Sequence, residues 1–319
     1  MKKILATVLM AALVLSLSAV AFAAPAEYNV GICQLVQHPA LDAATQGFID
    51  ALTEKLGDKV SISNQNAAGD SATCATIVNT FVSDEVDLIM ANATPALQAA
   101  QAATNKIPVL GTSITEYGVA LDLDDFNGVT GINVSGTSDL APLDGQADMV
   151  AEIFPDAKTV GILYCSAEAN SKYQVETITP FLEEKGYTVT AYTFTDTNDV
   201  SAVTTTACGE NDVLYIPTDN TAASCAEAIN NIALPAGVPI VCGEEGICAG
   251  CGVVTLSISY YDIGYATGLM AYEIMVNGAD VSAMPIEYAP QFTKEYNAVN
   301  CEALGIAVPE DYVAIETEA

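Results

Sequence analysis

The chain has 319 residues, with forty Asp and Glu against nine Lys and Arg, one His and a mean hydropathy of +0.35. No arginine occurs, and so acidic a chain repels phosphate backbones, whose binding needs Lys and Arg, so nucleic acid is excluded as a partner. Its length and aliphatic content suit one large domain or two medium ones.

Met1-Lys2-Lys3 precede an uncharged run from Ile4 to Phe22, which ends Ala21-Phe22-Ala23 before Ala24-Pro25. This reads as a secretory signal over 1–23 cut after Ala23, with a membrane-spanning helix as the alternative. Without it, seven lysines face forty carboxylates and the formal charge becomes −33. No cysteine stands at the cut, so the expected product is exported, periplasmic or extracellular, without a lipobox anchor.

From Tyr28 onward short apolar strands alternate with amphipathic helical stretches, the pattern of parallel α/β sheets. Strands are predicted at 28–35, 60–64, 86–91, 107–111 and 129–134, with helices at 41–56, 71–82 and 95–104 between them. A second series places strands at 159–165, 188–194, 213–217, 239–242 and 253–257, separated by helices at 170–185, 200–208 and 221–234. A helix-like segment from Leu143 links the two series. A strong helix over Tyr260–Val276 and a strand-like Pro285–Ala289 follow. Two similar series imply two lobes: 24–140 with 260–284, and 141–259 with 285–319.

In open parallel sheets ligands sit beyond the carboxyl ends of the strands, where helix N-termini also point. That rule selects polar loops carrying Gln34, His38, Thr94, Ser113, Ser138, Asp139, Asn170, Asp219, Asn220 and Glu245. Taken singly, such Ser, Thr, Asp and Asn residues are also ordinary helix caps, and His38 reads equally as a turn residue. Together they would line a cleft with polar chemistry of ligand size. With no arginine, a ligand carboxylate must be held by lysine, hydroxyls, backbone N–H groups or helix N-termini.

Nine cysteines follow the signal. Most lie in apolar segments as small hydrophobes. Cys242, Cys248 and Cys251 cluster in what reads as a loop with a possible disulfide, since no second half of a zinc site accompanies them. No Gly-x-Ser-x-Gly elbow, Walker loop or dinucleotide fingerprint is present, so neither an enzyme nor a cofactor or metal site is expected.

Several blocks resemble, in order, the ABC-transporter substrate-binding proteins of the tryptophan/tyrosine (aromatic amino acid) type. They are His38-Pro39-Ala40-Leu41-Asp42-Ala43, Ala93-Thr94-Pro95-Ala96-Leu97, Gly136-Thr137-Ser138-Asp139, Glu168-Ala169-Asn170-Ser171, Pro217-Thr218-Asp219-Asn220-Thr221 and Tyr260-Tyr261-Asp262-Ile263-Gly264. The resemblance implies the type I periplasmic-binding fold: two Rossmann-like α/β lobes joined by three crossovers that close on a small solute. It also implies a monomer that hands its ligand to a membrane permease and ATPase, with a sensing module as the alternative role. For an amino acid, Thr94 and Ser138 would meet the carboxylate, Asp219 or Glu245 the ammonium, and Asn170 and Asn220 further polar atoms. Tyr164 or Tyr261 would then stack on the side chain.

Overall fold

Val30 and Ile32 of the first strand, β1 (Tyr28–Gln34), point to one side of their sheet and Cys33 to the other, and all three are fully or almost fully buried. A strand buried on both faces needs helices on both faces, and parallel crossovers supply them. The computed structural model describes residues 26–315. The sequence-predicted signal at 1–23 and the tail at 316–319 lie outside the described residues.

The first lobe continues through α1 (Pro39–Leu56), β2 (Val60–Asn66), α2 (Ser71–Ser83), β3 (Leu88–Asn92), α3 (Thr94–Ala103), β4 (Val109–Ile114), α4 (Tyr117–Leu121) and β5 (Val134–Ser138). Its sheet has the order β11-β5-β4-β3-β1-β2 and is parallel throughout. Val30, Ile32, Leu88 and Met90 pack with Phe48 and Leu52 of α1, and Cys33, Ile89 and Ala91 with Val78 and Phe81 of α2.

The second lobe contains α5 (Leu143–Ile153), β6 (Thr159–Cys165), α6 (Ala169–Glu184), β7 (Thr188–Phe194), α7 (Val200–Glu210), β8 (Val213–Ile216), α8 (Asn220–Ser224), α9 (Ala226–Ala236), β9 (Ile240–Cys242), α10 (Glu245–Cys251) and β10 (Val254–Ser257). After β10 the chain returns to the first lobe as α11 (Tyr260–Asn277), then β11 (Glu287–Tyr288). It crosses again to β12 (Thr293–Tyr296), α12 (Ala298–Leu304) and β13 (Val313–Ala314), giving the second sheet the order β13-β12-β10-β9-β8-β6-β7. The crossings fall at 139–142, 258–259 and 289–292, and adjacent crossings of this kind form a hinge.

Three expectations are corrected. The strand placed at 129–134 runs instead from Val134 to Ser138, because Gly128 and Gly131 take positive φ values that turn the chain. The polar strand is tolerated because its hydroxyls find partners: Ser135 donates to the Met284 carbonyl at 3.1 Å, and Thr137 meets Thr112 at 3.1 Å and Thr267 at 2.9 Å. Residues 285–288, assigned from sequence to the second lobe, join the first, where Glu287 and Tyr288 pair with Thr137 and Ser138 and Pro285 bridges Val129. The Cys242–Cys251 stretch is not a loop with a disulfide: Cys248 and Cys251 lie in the buried helix α10, and all nine thiols are free.

Helix α11 lies against α1 at backbone contact. A Cβ at Gly264 would stand 1.9 Å from the Ala44 carbonyl oxygen, and one at Gly47 would stand 2.1 Å from that of Tyr261. Gly264→Ala is therefore expected to destabilise the first lobe by at least ~1–3 kcal/mol, the range for overpacking. Gly209→Ala, with open space around it, should leave denaturant unfolding unchanged or slightly improved.

Candidate functional site

The carboxyl ends of β1, β3, β4 and β5 face those of β6, β8 and β9 across the gap between the lobes. There a small void with room for one water-sized group is bounded by His38, Asp139, Asp219, Asn220, Glu244 and Tyr260. A cavity of about 300 Å³ adjoins it at the mouth, walled by Val36, Pro95, Glu168 and Thr221. On the hinge side lies a groove of about 980 Å³ carrying Asp42, Glu245, Glu295 and Tyr261.

The lobes touch directly at the void. His38 stands at the N-cap position of α1 but makes no capping bond there; its Nε2 instead meets Asn220 Oδ1 of the second lobe at 3.3 Å. Burial lowers the pKa of its imidazole, favouring the neutral ring. Asp139 follows β5, and its Oδ2 accepts the Tyr260 hydroxyl at 3.0 Å, tying the first two crossings together.

Four carboxylates are buried here: Asp139, Glu168, Asp219 and Glu244. Three of them cap helices. Asp219 Oδ1 accepts from the Ala222 N–H at 2.8 Å, and Oδ2 from the Cys165 N–H and the Ser171 hydroxyl, both at 2.7 Å. Glu168 takes the Asn220 and Thr221 N–H groups at 3.1 and 2.9 Å, together with the Asn220 amide at 2.7 Å and the Thr221 hydroxyl at 2.8 Å. Glu244 accepts from the N–H groups of Gly246 and Ile247. These dipoles offset part of the charge. Asp139 has the Tyr260 hydroxyl but no helix N-terminus, and burial pushes its carboxyl up to about 6. Burial likewise raises Glu244 to about 7, and burial with the neighbouring Glu168 raises Asp219 to about 7.

Unpartnered polar atoms mark where a ligand could act. Among the described residues, His38 Nδ1, Asn92 Oδ1, Ser113 Oγ, Asp139 Oδ1 and Asn170 Oδ1 are buried without a hydrogen-bond partner in the strand-end loops and helix starts at the gap, and Thr255 Oγ1 and Glu295 Oε2 are unpartnered on β10 and β12. Each such group costs about 1–3 kcal/mol unless something satisfies it. Backbone strain gathers here too: Ala93 (φ 86°) and Ser113 (φ 56°) hold positive φ values that ordinary residues avoid.

The structure brings together most of the residues chosen from sequence, and reassigns several. Asp219 is a cap with both oxygens engaged. Gln34 turns inward, donating to Asp42 at 2.6 Å and accepting from Thr45 at 2.6 Å. Ser138 donates to the Thr115 carbonyl at 3.0 Å. Thr94 is the first residue of α3 and does not cap it, since Ala93 holds that position. Glu245 is half-buried in the hinge-side groove rather than in the void. Tyr261 does not enter the void: its hydroxyl donates to Asp50 at 3.0 Å and its ring stacks on Tyr265. Tyr164 packs on the core beneath the second sheet.

Sequence reasoning missed Glu168, Glu244 and Tyr260 as walls of the site. Glu168 and Glu244 each precede a helix start, so the capping pattern was the available signal. The thiols of Cys242 and Cys248 are pushed up by burial, the reverse of a reactive cysteine.

Residues 29–319 match the family described as ABC transporter substrate binding protein. The chain belongs to that family. It is 37% identical over 264 residues to a tyrosine-binding protein of Clostridioides difficile (strain R20291), covering 81% of this chain and 75% of that one. It superposes with a TM-score of 0.85 on an ABC domain from Streptococcus pneumonia in complex with L-Trp, at 31% identity over 90% of this chain and 97% of that one. On the ligand-free, open structure of a Clostridium difficile substrate-binding protein with adhesive properties the TM-score is 0.69, at 36% identity over 91% and 100%. The lobes here meet through the His38–Asn220 contact, and the chain superposes less well on the ligand-free, open structure.

The fold is thus that of a type I periplasmic binding protein. The family comprises extracytoplasmic proteins that bind small molecules and serve membrane ABC transporters; it is not a family of enzymes.

The buried acids bear on the stability of this binding protein. Asp139, Asp219, Glu244 and Glu295, the last also raised to about 7 by burial and Glu245, have folded pKa values above their ordinary ones. Their stabilising contribution is therefore complete below about pH 4 and is lost as pH rises towards 7. The midpoint of thermal unfolding should fall between pH 5 and pH 8, and Asp139→Asn should remove part of that slope; a midpoint that climbs over this interval contradicts the assignment.

Proposed function

We propose that the chain binds an aromatic amino acid in the gap between its lobes and delivers it, as an exported monomer released from its signal after Ala23, to an ABC importer. The observation that carries this is Asp139 Oδ1, a buried carboxylate oxygen without a partner, beside a void of ammonium size between lobes that meet at His38 and Asn220. The tyrosine-binding relative supports the same class of ligand.

In this reading Asp139 takes the α-ammonium, in place of Asp219 and Glu245. The Ser113 hydroxyl and the N-terminus of α3 at Thr94 receive the α-carboxylate, a role open to them because no arginine exists to do it. Asn170 Oδ1, whose amide nitrogen is fixed by the Thr218 carbonyl at 3.1 Å, accepts from a further donor. The ring extends towards the mouth cavity, where Val36 and Pro95 present apolar surface.

Calorimetry on protein stripped of solute by unfolding and refolding tests the assignment. Asp139→Asn should weaken the binding of L-tyrosine or L-tryptophan by about 10- to 100-fold, the worth of a hydrogen bond to a charged group. Asp219→Asn should instead lower stability by roughly 1–3 kcal/mol, the penalty for buried N–H groups left without their acceptor. Unchanged affinity in Asp139→Asn would remove that residue from the site. Because the ammonium needs an ionised partner, affinity should also weaken by up to about tenfold per pH unit below pH 6.

A further inference from the structure

His38 is the only histidine in the chain, and its hydrogen-bonding state is set from the opposite lobe. Glu168 Oε2 is an acceptor, so the Asn220 amide nitrogen, 2.7 Å away, must face it. That orientation leaves Asn220 Oδ1 towards His38. An amide oxygen only accepts, so the contact at 3.3 Å requires a proton on Nε2. In the neutral ring, which burial favours, Nδ1 then carries a bare lone pair. It is buried, has no partner, and belongs to a residue lining the same void as Asp139, whose Oδ1 is also unpartnered.

We infer that Glu168 and Asn220 act as an interlobe relay that fixes His38 as a hydrogen-bond acceptor, and that the ligand's primary ammonium donates to His38 Nδ1 as well as to Asp139 Oδ1. The inference rests on the solute-binding reading above and deepens it. Two acceptors around one water-sized space call for a small group with several hydrogens and a positive charge. The relay exists only when the lobes are closed, because Asn220 and His38 lie on different lobes. Recognition of the ammonium by His38 is thereby coupled to closure, with Asn220 as a positioning residue.

A single histidine makes the test direct. Protein labelled with ¹⁵N-histidine is observed by NMR at pH 7, free and saturated with L-tyrosine or L-tryptophan, with binding followed separately by thermal shift. The expected ring is neutral and protonated at Nε2, and its Nδ1 resonance moves to a hydrogen-bonded position when ligand is added. Asn220→Ala should lose the tautomer preference and weaken affinity several-fold. His38→Ala should weaken it as much or more, and His38→Asn, whose amide oxygen can stand in for Nδ1, should recover part.

A ring protonated at Nδ1, or cationic at pH 7, in the ligand-saturated protein overturns the inference. Ligand that stabilises the protein while leaving the Nδ1 resonance unmoved overturns it and leaves the solute-binding reading intact. Failure of every primary amine tested to stabilise the protein overturns both.

Discussion

Carboxylates buried beyond the reach of any lysine of the chain are the constraint on which the closed arrangement depends. The void between the lobes has Asp139, Asp219 and Glu244 on its walls and Glu168 close behind, and none of its lining residues is a lysine. The lysine ion pairs of the described residues all lie at least partly exposed. An isolated buried charge is expensive, so each of these groups must be neutralised by something other than a salt bridge. Three are partly offset by the N–H groups at the starts of α8 and α10. Asp139 lacks such a helix, and this separates it from the others as the group with affinity left to offer.

That difference could not be expressed without the hinge. Asp139 sits on the first crossing and Tyr260 just after the second, so their hydrogen bond belongs to the joint rather than to either lobe. The backbone contact of α11 with α1 at Gly47 and Gly264 holds the second crossing against the first lobe, which in turn fixes where Tyr260 can stand. Core packing, hinge geometry and the free oxygen of Asp139 are therefore links of one chain of cause.

Much of the fold was legible in the sequence because both sheets are covered on both faces and their strands read as apolar runs. Thr159–Cys165 and Thr188–Phe194 were found at their observed limits. β5 was missed because after Val134 its residues are Ser, Gly, Thr and Ser, a polar strand whose hydroxyls are satisfied by partners distant in sequence, Met284, Thr267, Thr112 and Thr115. The strands and helix after Ala289 were missed because each is short and leans on the second sheet rather than on its own pattern. At the site, the strand-end loops named His38, Asp139, Asn170 and Asn220, which the structure gathers at the gap. Which carboxylate is spent on capping cannot be read from spacing: Asp219 and Asp139 both follow strands, and only the turn of the next helix tells them apart.

The absence of arginine then ceases to be a curiosity of composition. A zwitterion between these lobes presents its negative end to hydroxyls and to the N-terminus of α3, where neutral donors suffice. Its positive end meets a carboxylate whose burial makes the proton and the ammonium competitors for the same oxygen. A fixed guanidinium beside Asp139 would hold that carboxylate ionised and paired whether or not ligand were present, and would fill the space the ammonium needs. A chain that leaves its buried acids to helix dipoles keeps one carboxylate open, and so makes the ligand itself the missing cation of the closed state.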